Sequence, residues 1–311
     1  MTMADATQTG WTAQIRASRA YRSLRNSPLT VVAAVFLVAI ASVCLFAPLI
    51  APSNPYDLSR ISLMNSLVPP AWSPGGSTQF LLGTDDQGRD LLSSIIYGCR
   101  LSLQVGVAAV TLAAVLGVAL GLVSGYVGGV LDAVIMRAAE IQLSFPAILI
   151  ALLFDGIARG LAPPGSLNNL AIYVVIFSLG FSTWPQYART VRASTMVEAT
   201  KDYVQAAQII GRSRSAIMIL HVLPNVLGPV LVIATIHLAI AIILEATLSF
   251  LGVGLPPTEP SLGTLLRIGN QFLFSGEWWI TIFPALTLAL LVLSVNVLGD
   301  WLRDLLDPKV N

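Results

Sequence analysis

The stretch DYVQAAQIIGRSRS, residues 202–215, lies between two long apolar runs, yet it is neither apolar nor built like a loop. It holds helix formers, the adjacent small residues Ala206 and Ala207, a single glycine at 211, and then Arg212 and Arg214. Asp202 is suited to cap a helix N-terminus, and Gln205 three residues on completes a capping-box pattern. Gly211 permits a turn that a residue with a Cβ resists. Ile217 and Leu220 start the return toward the apolar run. Pro224, in HVLPN (221–225), suits the first turn of the next helix, where its missing N–H costs nothing. The pattern predicts a short rigid helix held by the segments on either side. Two readings of it stand: a helix shaped to dock on a partner, with arginines offered to carboxylates, or an interfacial helix lying flat on lipid.

The rest of the chain supplies the membrane. Of 311 residues, 55% are hydrophobic and 11% charged, against about 25% charged in a soluble domain. The net charge of +1 gives a nucleic-acid partner no electrostatic support. Apolar runs recur at roughly 30–50, 102–125, 131–154, 170–188, 226–251 and 279–299, each near the length of about 20 residues that spans hydrocarbon. An all-α polytopic membrane protein with six transmembrane helices is expected. The first run exceeds a secretory h-region, typically about 7–15 residues, so it reads as an uncleaved span.

Lys and Arg counts orient the spans. With the N-terminus inside, the inner side holds Arg16, Arg19, Arg22, Arg25, Arg137, Arg189, Arg192, Lys201, Arg212, Arg214, Arg303 and Lys309, and the outer side Arg60, Arg89, Arg100, Arg159 and Arg267, which is 12 against 5. The organisation read from this is a cytoplasmic tail over 1–29, a first span over 30–50 and an extracytoplasmic segment over 51–101. Residues 102–300 then carry spans two to six with an inner loop at 189–225, and 301–311 form a cytoplasmic tail.

Within the second span, Gly117, Gly121, Gly125 and Gly129 recur every four residues, a flat stripe that lets another helix approach closely. The stripe suits intrachain packing or dimerisation. Glu140 and Glu245 are intramembrane acids, which by default suggest a polar path; the competing reading is that each is satisfied structurally. Cys44 and Cys99 are far apart in sequence and suggest neither a disulfide framework nor a metal site.

Catalytic chemistry has no foothold. HExxH does not occur, and His221 and His237 are 16 residues apart without an adjacent carboxylate. A phosphate-binding Walker loop needs Gly-Lys-Ser/Thr, whereas the two lysines here follow Thr200 and Pro308. No catalytic residue, metal ligand or bound cofactor is expected, and if ATP drives this protein, another polypeptide hydrolyses it.

QAAQIIGRSRSAIMILHVLP (205–224) resembles the glutamate-alanine-alanine loop of ABC importer permeases, with Gln205 for the usual Glu and His221 for the usual Ile. LGTDDQGRDLLSSIIYGCRLSLQVG (82–106), WPQYARTVRA (184–193), EATLSFLGVGLPP (245–257) and NVLGDWLRDLLDP (296–308) resemble the C-type permease subunit of the dipeptide/oligopeptide importers. Two stretches depart from that pattern: PSLG at 260–263 stands where PSWG is usual, and the link DGIARGLAPPGSLNN, 155–169, is longer than usual.

The resemblance implies a type I ABC importer permease fold in a bacterial inner membrane, multi-pass, with both termini cytoplasmic. It implies a homologous B-type permease, two ATP-binding cassette subunits carrying ATP and Mg, an extracytoplasmic solute-binding protein and surrounding lipid as partners. It carries Asp202, Tyr203, Gln205, Ala206, Ala207, Gly211, Arg212 and Pro224 over as the ATPase-docking element. Gly117, Gly121, Gly125, Glu140 and Glu245 are left as pathway or packing residues. On this reading a bulky residue at 211, or Asp at 207, abolishes coupling. The cargo stays open among dipeptides, longer peptides, glutathione, nickel chelates and opine-like solutes. The other functional classes are an autonomous carrier or channel, which lacks the inverted repeats expected of it, and a membrane enzyme built on Glu140, His221 or His237.

Overall fold

A computed structural model describes residues 27–57, 61–161, 163, 167–256 and 258–306. Arg16, Arg19, Arg22, Arg25, Arg60 and Lys309, and most of both terminal tails, lie outside the described residues.

The architecture is all-helical, with one isolated bridge, Thr84 to Asp90, among the described residues. The first apolar run gives α1 (Pro28–Leu45) and, after a break at Phe46, the single-turn α2 (Ala47–Ile50). Pro28 sits at the first turn, where its missing N–H costs nothing. Helix α3 (Leu91–Val127) has 37 residues and at 1.5 Å per residue is about 55 Å long. It begins well before the expected 102, because Asp90 caps it: the Asp90 carboxylate accepts the Ser93 backbone N–H at 2.8 Å and the Ser93 hydroxyl at 2.5 Å. The outer segment expected over 51–101 therefore ends in helix.

The expected third span is two helices, α4 (Gly129–Leu143) and α5 (Ala147–Leu161), bent by 93°. Pro146 removes a helix donor and disfavours helical backbone at Phe145. Helix α6 (Leu167–Ala199) is 33 residues long and runs past the expected end at 188. After it come α7 (Asp202–Ile209), α8 (Arg214–Ile217), a π turn at Met218–Val222 and α9 (Leu223–Leu251). Helix α10 (Leu262–Phe272), absent from the sequence expectation, starts with a full capping box between Ser261 and Thr264. Helix α11 (Trp279–Leu306) closes the described chain.

Six spans were expected. Among the described residues, four helical stretches are long and apolar enough to cross a membrane, and the bent α4–α5 pair makes a fifth. Helix α6 has the length but is less apolar along its course than the others. It packs lengthwise on α3, and α3, α6, α9 and α11 form the central bundle.

The bundle has two different ends. At one, residues 83–90 knot against the starts of α10 and α11: Thr84 Oγ1 donates to the Asn65 carbonyl at 2.6 Å, and Trp279 Nε1 donates to the Thr84 carbonyl at 3.1 Å. Arg89 and Asp85 pair at 2.6 Å with side chains 1% and 0% exposed. Cys44 and Cys99, distant in sequence, are both buried in the core cluster beneath this knot with Leu91, Ile242 and Leu262. The other end carries α7.

Candidate docking site

Helix α7 is a lever fixed from three directions. Val204 and Ala207, on one face, are buried in a cluster with Leu122 of α3, Tyr187 of α6 and Val222 and Val226 around the start of α9. Around that apolar seat runs a polar rim. Lys201 pairs with Glu198 at 2.7 Å, and the Tyr203 hydroxyl donates to the same carboxylate. Asn225 Nδ2 donates to the Tyr203 hydroxyl at 3.1 Å and to the His221 carbonyl at 2.7 Å. Gln208 Nε2 donates to the Tyr126 hydroxyl at 3.4 Å. Partial burial, then the hydrogen bond to Glu198, pushes the Tyr203 hydroxyl up to about 12. Lys201, then Tyr203, holds the Glu198 carboxyl below its usual range. Tyr126, Glu198 and Asn225 were not singled out in the sequence, because their roles depend on three helix ends meeting; the only local signal is Asn225 closing HVLPN.

The N-terminus of α7 differs from expectation by one residue. Lys201, with φ −75° and ψ 148°, occupies the N-cap position, and no side chain caps the helix. Asp202 is already in the first turn, where its charge still suits the helix dipole. Gln205 Nε2 donates back to the Thr200 carbonyl at 3.0 Å, so no capping box forms.

The C-terminus is a Schellman turn. The Arg212 N–H reaches the Ala207 carbonyl at 3.1 Å and the Gly211 N–H the Gln208 carbonyl at 3.0 Å, with Gly211 at φ +80°. A side chain at 211 would therefore be strained by conformation, although nothing crowds the position.

Pro224 is not at a free helix start. The helical path runs unbroken from Arg214 to Leu251, and the π turn just before Pro224 carries the widened hydrogen bonding, with the Leu223 N–H on the Met218 carbonyl. The turn absorbs the donor that Pro224 lacks.

The face of α7 turned away from the chain holds Gln205, Ala206 and Ile209, with Ile210 at its C-cap, all exposed; Ile209 and Ile210 are 86% and 79% exposed. Of Ala206 and Ala207, read together as partner-facing, Ala206 is exposed and Ala207 is buried in the chain's own core. Asp at 207 would put a charge into the chain's own core, so the expectation that it probes docking is corrected.

The remaining candidates separate. Gly117, Gly121 and Gly125 receive α6: an added Cβ would lie 2.3 Å from Tyr187 Cβ, 2.5 Å from the Ala188 carbonyl oxygen and 2.7 Å from the Arg192 carbonyl oxygen, respectively. Their stripe is filled by the same chain. Gly129 leaves the series, because α3 ends at Val127 and nothing lies near it. Glu245 is fully buried and accepts hydroxyl donors from Ser102 at 2.6 Å and Ser249 at 2.8 Å. Glu140, expected deep in a span, is exposed beside the α4–α5 break and pairs with Arg137 at 3.2 Å. His237 meets Gln186 Oε1 at 2.8 Å, far from His221 in the π turn.

The family model described as binding-protein-dependent transport system inner membrane component matches residues 117–311, and that of the N-terminal TM domain of oligopeptide transport permease C matches 16–70. The dipeptide transport system permease protein of Escherichia coli strain K12 is 44% identical over 280 residues, covering 90% of this chain and 89% of the relative. That of Haemophilus influenzae is 41% identical over 276 residues, covering 89% of each. The di/tripeptide transport system permease protein of Pseudomonas aeruginosa is 40% identical over 275 residues, covering 88% and 86%. Among solved structures, a chain of the MetNI methionine ABC transporter in an inward-facing conformation aligns with TM-score 0.55 at 19% identity, over 70% of this chain and 98% of that one. An ABC importer permease functions with permease and ATPase subunits rather than alone, and it is not itself an enzyme. The chain belongs to the family of binding-protein-dependent transport system inner membrane components, as a multi-pass C-type permease with the type I ABC importer fold.

Proposed function

We propose that this chain is one half of the transmembrane pathway of an ATP-driven importer for dipeptides or short peptides, coupled to its ATPase through α7. The single observation that carries the coupling role is the two-sidedness of that helix. One face is seated on the chain's own core through Val204 and Ala207, and the other presents Ile209 and Ile210 with nothing over them. A helix seated on three others moves as they move. A partner gripping its outer face therefore biases the packing of the bundle, which is how one of two states is selected.

The peptide cargo is supported by relatives named as dipeptide or di/tripeptide permeases, at 40–44% identity. The arrangement comprises a B-type permease, two ATP-binding cassette subunits holding ATP and Mg, and an extracytoplasmic binding protein, with both termini of this chain cytoplasmic. This chain holds no cofactor in that arrangement. Reconstitution of the whole assembly in vesicles tests it. Uptake of a labelled dipeptide should require ATP on the side bearing α7 and a hydrolysis-competent ATPase partner. Uptake that persists with a hydrolysis-dead partner would favour an autonomous carrier instead.

A further inference from the structure

The stretch WPQYARTVRA, 184–193, is only half explained by packing on α3. Tyr187, Ala188 and Val191 face the bundle and are buried. The opposite side of α6 is open, and at helical spacing it carries Gln186, Arg189, Thr190, Ala193 and Ser194. With Leu143, at the end of α4, these residues line a cavity of about 680 Å³, within the range of small-molecule sites, about 300–1,000 Å³. Four of the six lining side chains are polar.

Arg189 differs from the arginines around it. Arg192, three residues on, is closed by Asp132 through two bonds of 2.5 and 2.6 Å. Arg137 is taken by Glu140 at 3.2 Å and Arg159 by Asp155 at 2.5 Å. The Arg189 side chain has no ion pair or hydrogen bond among the described residues, and it lines the cavity. Arg189 lies one residue past the apolar run of 170–188 and is exposed, so its guanidinium is open to the cavity and to water. Its planar fork matches a carboxylate through two parallel N–H donors. One turn away, Gln186 is anchored from α9 by His237 at 2.8 Å, which gives this wall a fixed polar neighbour.

We infer that this cavity is a cargo station on the transport path, where Arg189 receives a carboxylate of the solute. The inference rests on the reading of the chain as a peptide importer subunit, since an unmodified linear peptide ends in a carboxylate. It adds a place within this chain where that group is held.

The test uses the assembled importer with Ala193→Cys, which puts a thiol on the cavity wall; the native Cys44 and Cys99 are buried. The rate of labelling by a charged, membrane-impermeant methanethiosulfonate is measured alone, with a tripeptide, and with the same tripeptide as its C-terminal amide. The acid should slow labelling tenfold or more and the amide less than twofold. Adding Arg189→Gln should remove the protection by the acid, and Arg189→Lys should keep part of it. Equal protection by acid and amide, protection that survives Arg189→Gln, or a thiol that does not label would each overturn the carboxylate site. If Arg189→Gln does not assemble, the acid-to-amide comparison in Ala193→Cys decides alone. A wild-type importer that carries no peptide into vesicles is a different failure: it removes the functional reading, and this inference with it.

Discussion

The two ends of the bundle are built on opposite principles. At the knot, residues 83–90 turn their polar groups inward: the Asp85–Arg89 pair is sealed from solvent, Thr84 bonds on both sides, and Asp90 caps α3. At the lever, the polar network of Glu198, Lys201, Tyr203 and Asn225 forms an exposed rim around a small apolar seat, and the large apolar side chains Ile209 and Ile210 point outward. A sealed end fixes how α3, α10 and α11 meet. On the proposed function, an end with a seated inner face and a bare outer one is the one a partner would grip.

This contrast can be broken most forcefully at the knot. Arg89→Met leaves the Asp85 carboxylate buried without its partner, which costs about 3–5 kcal/mol when a buried pair is broken from one side. Purified protein should show a large fall in melting temperature, and an unchanged value would mean that the knot is not sealed in solution. Next in size is the seam between α3 and α6. Gly121→Leu drives side-chain atoms into the Ala188 backbone, and overpacking of this kind costs about 1–3 kcal/mol. The expected result is loss of folded protein in detergent or a melting temperature several degrees lower; a wild-type profile would show that α6 does not sit on the stripe.

The smallest effects belong to the rim, where exposed pairs are worth about 0–1 kcal/mol. Their signs are still fixed. Glu198 is held below its usual range, so its contribution is present above the ordinary glutamate value and fades as pH falls through the lowered one. Tyr203 is pushed up to about 12. Its contribution is therefore complete below the ordinary tyrosine value of about 10 and is lost as pH rises from there through the raised one. Tyr203→Phe should flatten the alkaline part of the stability profile and leave the acidic loss reduced but present. An unchanged alkaline slope would place the Tyr203 hydroxyl outside the rim.

What could be read from the sequence follows these same physical lines. The lever was legible because Gly211 and the small residues beside it announce a short helix with a sharp exit, and the Schellman turn uses that glycine as expected. Which side faces inward was not legible. Eight residues make about two turns, and Val204 and Ala207 declare themselves only when the cluster around Tyr187 and Val222 is known. The start of α3 was missed because Ser93, Ser94, Arg100 and Ser102 lower its hydropathy, yet all three serine hydroxyls find acceptors within the protein. Helix α10 was missed because it is short and amphipathic; its only advance notice was the Ser261–Thr264 spacing. The polar side at Arg189 does not stand out in the sequence, because 186, 189, 190, 193 and 194 share one side of a helix whose first half is mostly apolar.

The central claim is that the bare face of α7 is where the ATPase grips. The most direct measurement is co-purification of the ATPase with the permease pair, comparing wild type, Ile209→Asp and Ala206→Asp, with the melting temperature of each permease alone measured in parallel. The account predicts permeases as stable as wild type that retain tenfold less ATPase or worse. Variants that keep the ATPase at wild-type stoichiometry while remaining folded would contradict it.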